Sequence, residues 1–252
     1  MSAAVQTFPE WRRQFVKNIG RRLLSGIAGF FSRQSLIGAT PRFNPNVFPW
    51  IPQFESHWQE IRRELEDVLL QRAQLQSFHE ISPDQQRISK GDDWKVFPFL
   101  VFGDPFAPNC ARCPTTARLL AATPDIRNAM FSILSPKMHI PPHRGPTNGI
   151  IRIHLGLIVP GGAAICRIRV DDEIFGWEEG RCVVFDDYFE HEVWNDTDQQ
   201  RVVLFFDVDR PMRLPGRWLN KLLIAVFKRT AYIEDAKNNI RPLADPSAAI
   251  QH

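Results

Sequence analysis

The chain has 252 residues, 44% of them apolar and 23% charged, and 31 basic against 28 acidic side chains leave a formal charge of +3. That balance excludes a disordered polyelectrolyte, and the length is ample for one large domain with terminal extensions. Uncharged apolar stretches such as Leu23 to Phe31, nine residues, fall far short of the roughly 20 that span a bilayer.

Residues 1–40 hold Arg12, Arg13, Lys17, Arg21, Arg22 and Arg33 against Glu10, a net of +5, which leaves −2 for the rest. Trp11, Phe15, Ile19, Leu23, Ile27 and Phe31 recur every four residues there. The spacing predicts an amphipathic helix over residues 10–33. It either packs on the domain or a partner subunit, or lies in an anionic membrane surface. No apolar h-region precedes it, so no cleaved secretory signal is expected. Residues 41–53, with four prolines, read as an extended linker. Glu55 to Phe78 predicts a helix with Trp58, Ile61, Leu65, Val68 and Leu69 on one face. Val96 to Phe102 predicts a buried strand, and Thr115 to Ala122 a short helix.

From Asn128 the character changes. Runs such as AMFSIL, IIRIHLGLIV, AICRIRV, RCVVFDD, HEVWND and RVVLFFDV alternate with turn residues. Regular short strands of this kind predict an antiparallel sandwich or small barrel. After Pro211 the chain turns helical over Trp218 to Lys228. The resulting division is a basic extension (1–40), a helical and loop part supporting the catalytic domain (41–127), a β core (128–211) and a C-terminal helix and tail (212–252).

Three histidines stand in this strand region. His143 sits in a loop, PPHRGPTN; His154 lies inside a strand; His191 opens one. Strand alternation points Arg152 and His154 to one face and Ile151, Ile153 and Leu155 to the other. An interior holding Arg and His in a row calls for an anionic partner; the alternative is a face open to solvent. The NDTD turn after HEVW predicts a hairpin that brings Arg201 level with His191, with Arg201, Val203 and Phe205 on one face. An arginine in apolar company suits the bidentate grip of a carboxylate. Imidazoles suit iron, copper, zinc and nickel. With a carboxylate clamp added, they point to ferrous iron and a small dicarboxylate co-substrate. The carboxylate that usually completes such a site follows the first histidine by two residues; that position here is Gly145.

The blocks HRGPTNGIIRIHLGL and GWEEGRCVVFDDYFEHEVWND, followed by Arg201, resemble the aspartyl/asparaginyl β-hydroxylase family of iron(II)/2-oxoglutarate dioxygenases. The resemblance runs from about Asn128 to Pro211, more weakly back to about Trp50, and does not cover residues 1–40. It implies a mainly β fold with flanking helices, its core a jelly-roll, cupin-like double-stranded β-helix. It also implies that His143 and His191 hold iron(II), and that Arg201 pairs with the distal carboxylate of 2-oxoglutarate, assisted by Ser132. Arg152 and His154 then meet the co-substrate's other end, and O2 is the second co-substrate. Gly145 matches the animal hydroxylase, which lacks the usual carboxylate ligand. A sister branch, bacterial hydroxylases of lipid A or ornithine-lipid acyl chains, is also similar. The GPTN, WEEG and FEHEVW stretches lean to the aspartyl type, with a peptidyl or free Asp/Asn substrate. The basic N-terminus and RWLNKLLIAVFKR lean to the lipid type.

A jelly-roll protein that only binds ligands is the rival reading, against which the full residue set stands. The short +5 segment on a slightly acidic domain argues against nucleic acid. Cys110-x-x-Cys113 has no second pair at metal-site spacing, and Asp186 and Asp187 read as turn residues that orient His191. Four cysteines are too few for a disulfide framework, so a cytoplasmic setting is expected; peripheral attachment at the inner face of a membrane through residues 10–33 is the alternative to packing of that helix on the domain.

Overall fold

The computed structural model describes residues 26–82, 86–229 and 236–243. Its strands are β1 (Arg42–Phe43), β2 (Gln76–Ser77), β3 (Trp94–Val101), β4 (Asp104–Pro105), β5 (Ile126–Leu134), β6 (His139–His143), β7 (Ile150–Ile158), β8 (Cys166–Val170), β9 (Glu173–Gly176), β10 (Cys182–Phe185), β11 (His191–Asn195) and β12 (Arg201–Asp209). The helices are α1 (26–34), α2 (Ile51–Ser56), α3 (Trp58–Leu69), α4 (Phe78–Ile81), α5 (Ala107–Arg112), α6 (Pro114–Ala121) and α7 (Leu214–Lys228).

A larger sheet has the order β1-β10-β7-β12-β5-β3-β2, with β4 on β3; a smaller one has the order β6-β11-β8-β9. From β5 to β12 the chain alternates between them: β5 large, β6 small, β7 large, β8 and β9 small, β10 large, β11 small, β12 large. That winding is the double-stranded β-helix, as expected. Strand alternation supplies two cores. Ile151, Ile153, Leu155, Leu204 and Phe206 face outward, under Ile61 and Leu65 of α3. Val183, Phe185, Val203 and Phe205 face the smaller sheet's Ile168, Val170 and Val193.

The structure departs from the sequence expectations at five places. Residues 41–53, read as an extended linker, instead hold β1, which pairs with β10, and the start of α2, with Phe43, Phe48 and Ile51 buried in the core. The helix expected over Glu55 to Phe78 breaks at His57 and ends at Leu69. Its apolar face of Ile61, Leu65 and Val68 lapses where the next position is Arg72, whose guanidinium reaches Gln200 and Ser135 instead. β3 pairs with β5, so the larger sheet draws on residues ahead of Asn128. His143 is the last residue of β6, not a loop residue. Pro141 and Pro142 are tolerated there because β6 is an edge strand, where a missing N–H costs no ladder bond. Lastly, β11 and β12 do not form a hairpin. β11 pairs with β6 and β8, and β12 with β5 and β7. The turn between them is a corner from one sheet to the other, held by buried Asn195, whose amide donates to Ser135 O at 2.9 Å and Gln199 O at 2.8 Å.

Trp11, Phe15, Ile19 and Leu23 of the N-terminal stripe lie outside the described residues. Ile27 and Phe31 belong to α1, and Phe31 is fully buried. α1 therefore packs on the domain. Asn148 donates to Ala28 O at 2.9 Å and Ser32 Oγ at 3.1 Å, and Asn220 of α7 donates to Gly149 O at 2.8 Å. A Cβ at Gly149 would fall on Asn220 and press on Phe31, so only glycine lets both helices close on this loop.

Arg210, just past β12, joins these parts. Its buried guanidinium donates to Asn148 O at 2.6 Å, Gly38 O at 2.7 Å, Ser35 Oγ at 3.4 Å and the Asp186 carboxylate. Arg210→Ala leaves Asp186 buried without its countercharge, which costs about 3–5 kcal/mol. Urea unfolding is expected to show that loss. The Arg210→Ala, Asp186→Ala double variant is expected to recover part of it.

Candidate active site

His143 and His191 are Cα partners across β6 and β11, with ring centroids 4.1 Å apart. His143 Nδ1 lies 2.8 Å from Pro141 O, and His191 Nδ1 lies 3.0 Å from Phe189 O. A carbonyl only accepts, so each Nδ1 carries the proton and each Nε2 presents a lone pair. Burial, with the Arg152 charge nearby, pulls the pKa of His143 down to about 4. Burial, with His143 and Arg152, pulls that of His191 down to about 3. Both rings are therefore neutral near pH 7, the form that binds a metal ion. Hydrogen bonds at the far nitrogens that fix tautomer and ring orientation are the arrangement metal-binding histidines use. Among the described residues, no group of three or more His, Cys, Asp or Glu side chains gathers as a metal site. The pair thus stands as a two-imidazole donor set.

Gly145 shows why no carboxylate follows His143. Its N–H donates to Asp187 O at 2.7 Å, and a Cβ at this position would fall on the Asp187 carboxylate. Asp187 occupies the space that a side chain at 145 would need. That carboxylate is fully buried. It lies 3.0 Å from Arg152 Nη2 but off the hydrogen-bond direction, since neither oxygen has a hydrogen-bond partner. Burial pushes its pKa up to about 7, against the pull of Arg152. Asp186 faces Arg210 instead, as described above.

The larger sheet's inner face supplies the remaining residues. Arg201 is fully buried, forms no ion pair among the described residues, and its Nε has no hydrogen-bond partner. Its guanidinium lies over the Trp177 ring, 4.1 Å from the centroid. Burial without a countercharge lowers its pKa to about 10. His154 is boxed by the rings of Phe185, Phe205 and Trp177 at 5.0, 5.3 and 5.8 Å. Both its ring nitrogens lack partners, as does the indole N–H of Trp177. Burial first, then the charges of Arg201 and Arg152, hold His154 neutral. Ser132 Oγ accepts the Trp94 indole N–H at 3.0 Å, which leaves its own proton to donate. Arg152 has a bidentate pairing with Asp207, at 2.9 and 3.2 Å, and lies over the Phe205 ring.

The sequence reading missed Trp177. The segment that carries it lies against Gly156, where a Cβ would strike Glu178 O. Gly180 N–H donates to Gly156 O at 2.9 Å. The missing side chain in HLGL thus admits the GWEEG segment and places the indole between Arg201 and His154. The four cysteines are free thiols and add nothing to this constellation.

A model of the aspartyl/asparaginyl beta-hydroxylase family matches residues 55–211. The chain belongs to that family. It is 42% identical over 203 residues to an ornithine lipid ester-linked acyl 2-hydroxylase of Rhizobium tropici, covering 81% of this chain and 72% of that protein. It is 36% identical over 138 residues to the human aspartyl/asparaginyl beta-hydroxylase, covering 53% of this chain and 18% of that protein. The chain therefore spans less than a fifth of the human protein's length. A Cupin 2 conserved barrel domain protein from Salinispora arenicola overlays with a TM-score of 0.31 at 12% identity, covering 52% of this chain and 84% of that one, and carries no further weight.

Asp187 and a side chain at position 145 exclude each other. Gly145→Asp is expected to cost at least about 2 kcal/mol in urea unfolding, from overpacking and from two carboxylates in one space. Adding Asp187→Ala to it is expected to restore most of the loss. Unchanged stability of Gly145→Asp alone would contradict the geometry.

Proposed function

We propose that the chain is an iron(II)- and 2-oxoglutarate-dependent dioxygenase that hydroxylates an unactivated C–H of a membrane-lipid acyl chain. The observation that carries the reaction is Arg201. A buried guanidinium without a countercharge is costly, and a dicarboxylate entering beside the histidine pair removes that cost. In this reading His143 and His191 hold ferrous iron through Nε2. Arg201 grips the distal carboxylate of 2-oxoglutarate, with Ser132 donating its hydroxyl proton and Trp177 shielding the pair from water. His154 and Arg152 face the end nearer the metal, where His154's unpartnered nitrogens find a use. Asp207 and Asp187 hold the Arg152 fork in place. The bound iron, with 2-oxoglutarate and O2, supplies the oxidant that replaces hydrogen by hydroxyl while 2-oxoglutarate becomes succinate and carbon dioxide. The protein's share is binding, orientation and exclusion of water.

For the substrate, the lipid reading is supported by the Rhizobium relative, whose similarity extends over four-fifths of this chain. In this reading the enzyme works on the cytoplasmic side, peripheral to the inner face of a membrane. Among the described residues no helix is long and apolar enough to cross one. The second reading, a peptidyl or free Asp/Asn substrate, draws on the human relative.

Three measurements test this reading. His143→Ala and His191→Ala are each expected to lose tightly bound iron, read by metal analysis, with circular dichroism unchanged; full retention in both would sink the metal assignment. Arg201→Ala is expected to raise the apparent KM for 2-oxoglutarate by at least about tenfold, with Arg201→Lys in between. Turnover against lipid extract and against Asp/Asn peptides, with mass detection of a product heavier by one oxygen, separates the two substrate classes.

A further inference from the structure

α7 has a buried face and an exposed apolar one. Gly216, Asn220 and Ile224 form the buried one. Gln34 of α1 lies where Gly216 has no side chain, and Asn220 is tied to Gly149 O. On the other face Leu214, Trp218, Leu222 and Val226 follow at steps of four and are 68%, 71%, 61% and 53% exposed. At 1.5 Å per residue they form a stripe about 18 Å long. A stripe of this size on a helix already anchored by its opposite side is not a core face left uncovered by accident. Leu36, 62% exposed, stands beside its N-terminal end. There a groove of about 370 Å³ has Leu36, Phe48, Trp50 and Met212 on its apolar side and Asp125 and Arg217 at its polar one.

The charges that the α7 segment itself carries have one sign; of the neighbouring acids, Asp125 lies 3.5 Å from Arg217 and Asp104 2.9 Å from Lys228. From Arg210 to Ile233 there is no Asp or Glu, and Arg213, Arg217, Lys221 and Arg229 are exposed. In the sequence, Arg12, Arg13, Lys17, Arg21 and Arg22 precede α1 and bring further cations to the chain. A second copy of the chain would set these cations against their own likes. An anionic lipid surface satisfies both features, taking the apolar side chains among its acyl chains and the cations at its phosphates.

We propose that the exposed face of α7 lies in the plane of an anionic membrane, with Leu214, Trp218, Leu222 and Val226 inserted and Arg213, Arg217 and Lys221 at the headgroups. This deepens the lipid reading of the substrate by naming the surface that meets the bilayer. Its test reads binding without turnover, so either proposal can fail alone.

The full chain is floated with vesicles of phosphatidylcholine containing phosphatidylglycerol, and with phosphatidylcholine alone, at low and physiological salt. Wild type is expected to float with the anionic vesicles, more strongly at low salt. Trp218→Asp with Leu222→Asp is expected to lower the partition by at least about tenfold. Its urea midpoint should stay unchanged, because both side chains face solvent. Arg217→Glu with Lys221→Glu is expected to weaken binding to anionic vesicles while leaving that to neutral ones as it was. Wild type that stays with the soluble fraction at low salt overturns the proposal. So does full partition of the Trp218→Asp, Leu222→Asp chain. A vesicle-independent dimer in sedimentation, lost on the same substitutions, would assign the face to a second copy instead.

Discussion

Arg210 ties together the two irregular segments that flank the paired histidines. Its guanidinium takes the carbonyl of Asn148 in the loop after His143 and the carboxylate of Asp186 in the turn before His191. With a third arm it takes Gly38 O from the segment after α1. The two histidines belong to paired strands, but the backbone on either side of that pairing is irregular and needs an anchor of its own. A planar donor with five N–H groups serves two backbone carbonyls and a carboxylate in three directions at once, which a lysine could not do. Burial raises the pKa of Asp186 while Arg210 lowers it, so the ion pair is kept by geometry in a setting that disfavours isolated charge.

The interior between the sheets is apolar except along one line, and that line is under-satisfied. The nitrogens of His154, the indole N–H of Trp177 and Arg201 Nε have no hydrogen-bond partners. Natural interiors rarely leave such groups unpaired, and four unpaired atoms in contact with one another point to a bound partner rather than to scattered defects. Arg152, by contrast, is committed to Asp207 and Asp187. The inner face thus has a fixed end near the histidines and an open end at Arg201, a division that orients an asymmetric ligand.

Much of this was legible in the sequence, through the period of two. That alternation placed Arg152 and His154 on one face and Ile151, Ile153 and Leu155 on the other, and the turn residues marked nearly every strand of the core. Alternation is silent, though, on where a chain goes after a turn. A hairpin and a corner between sheets have the same pattern, so Arg201 was expected beside His191 in one sheet when it belongs to the other. β6 was hidden by its two prolines, which mark a loop unless the strand is known to be an edge. Trp177 was hidden because its position depends on what Gly156 lacks. In α7 the covered side is Gly216, Asn220 and Ile224, so the apolar stripe does not mark the side that the fold buries.

The corner at Asn195 turns the space between the sheets into a ruler. His191 and Arg201 are ten residues apart in the chain, yet one faces inward from the smaller sheet and the other from the larger. Their separation is therefore set by the side chains that hold facing sheets about 10 Å apart, not by the turn that joins them. Val193, Ile168 and Val203 in that layer touch neither a metal nor an anion, but their volumes determine the span that a bound molecule must bridge. A relative that widened this layer by one methylene would be adjusting the length of ligand it accepts, through residues that look like ordinary core.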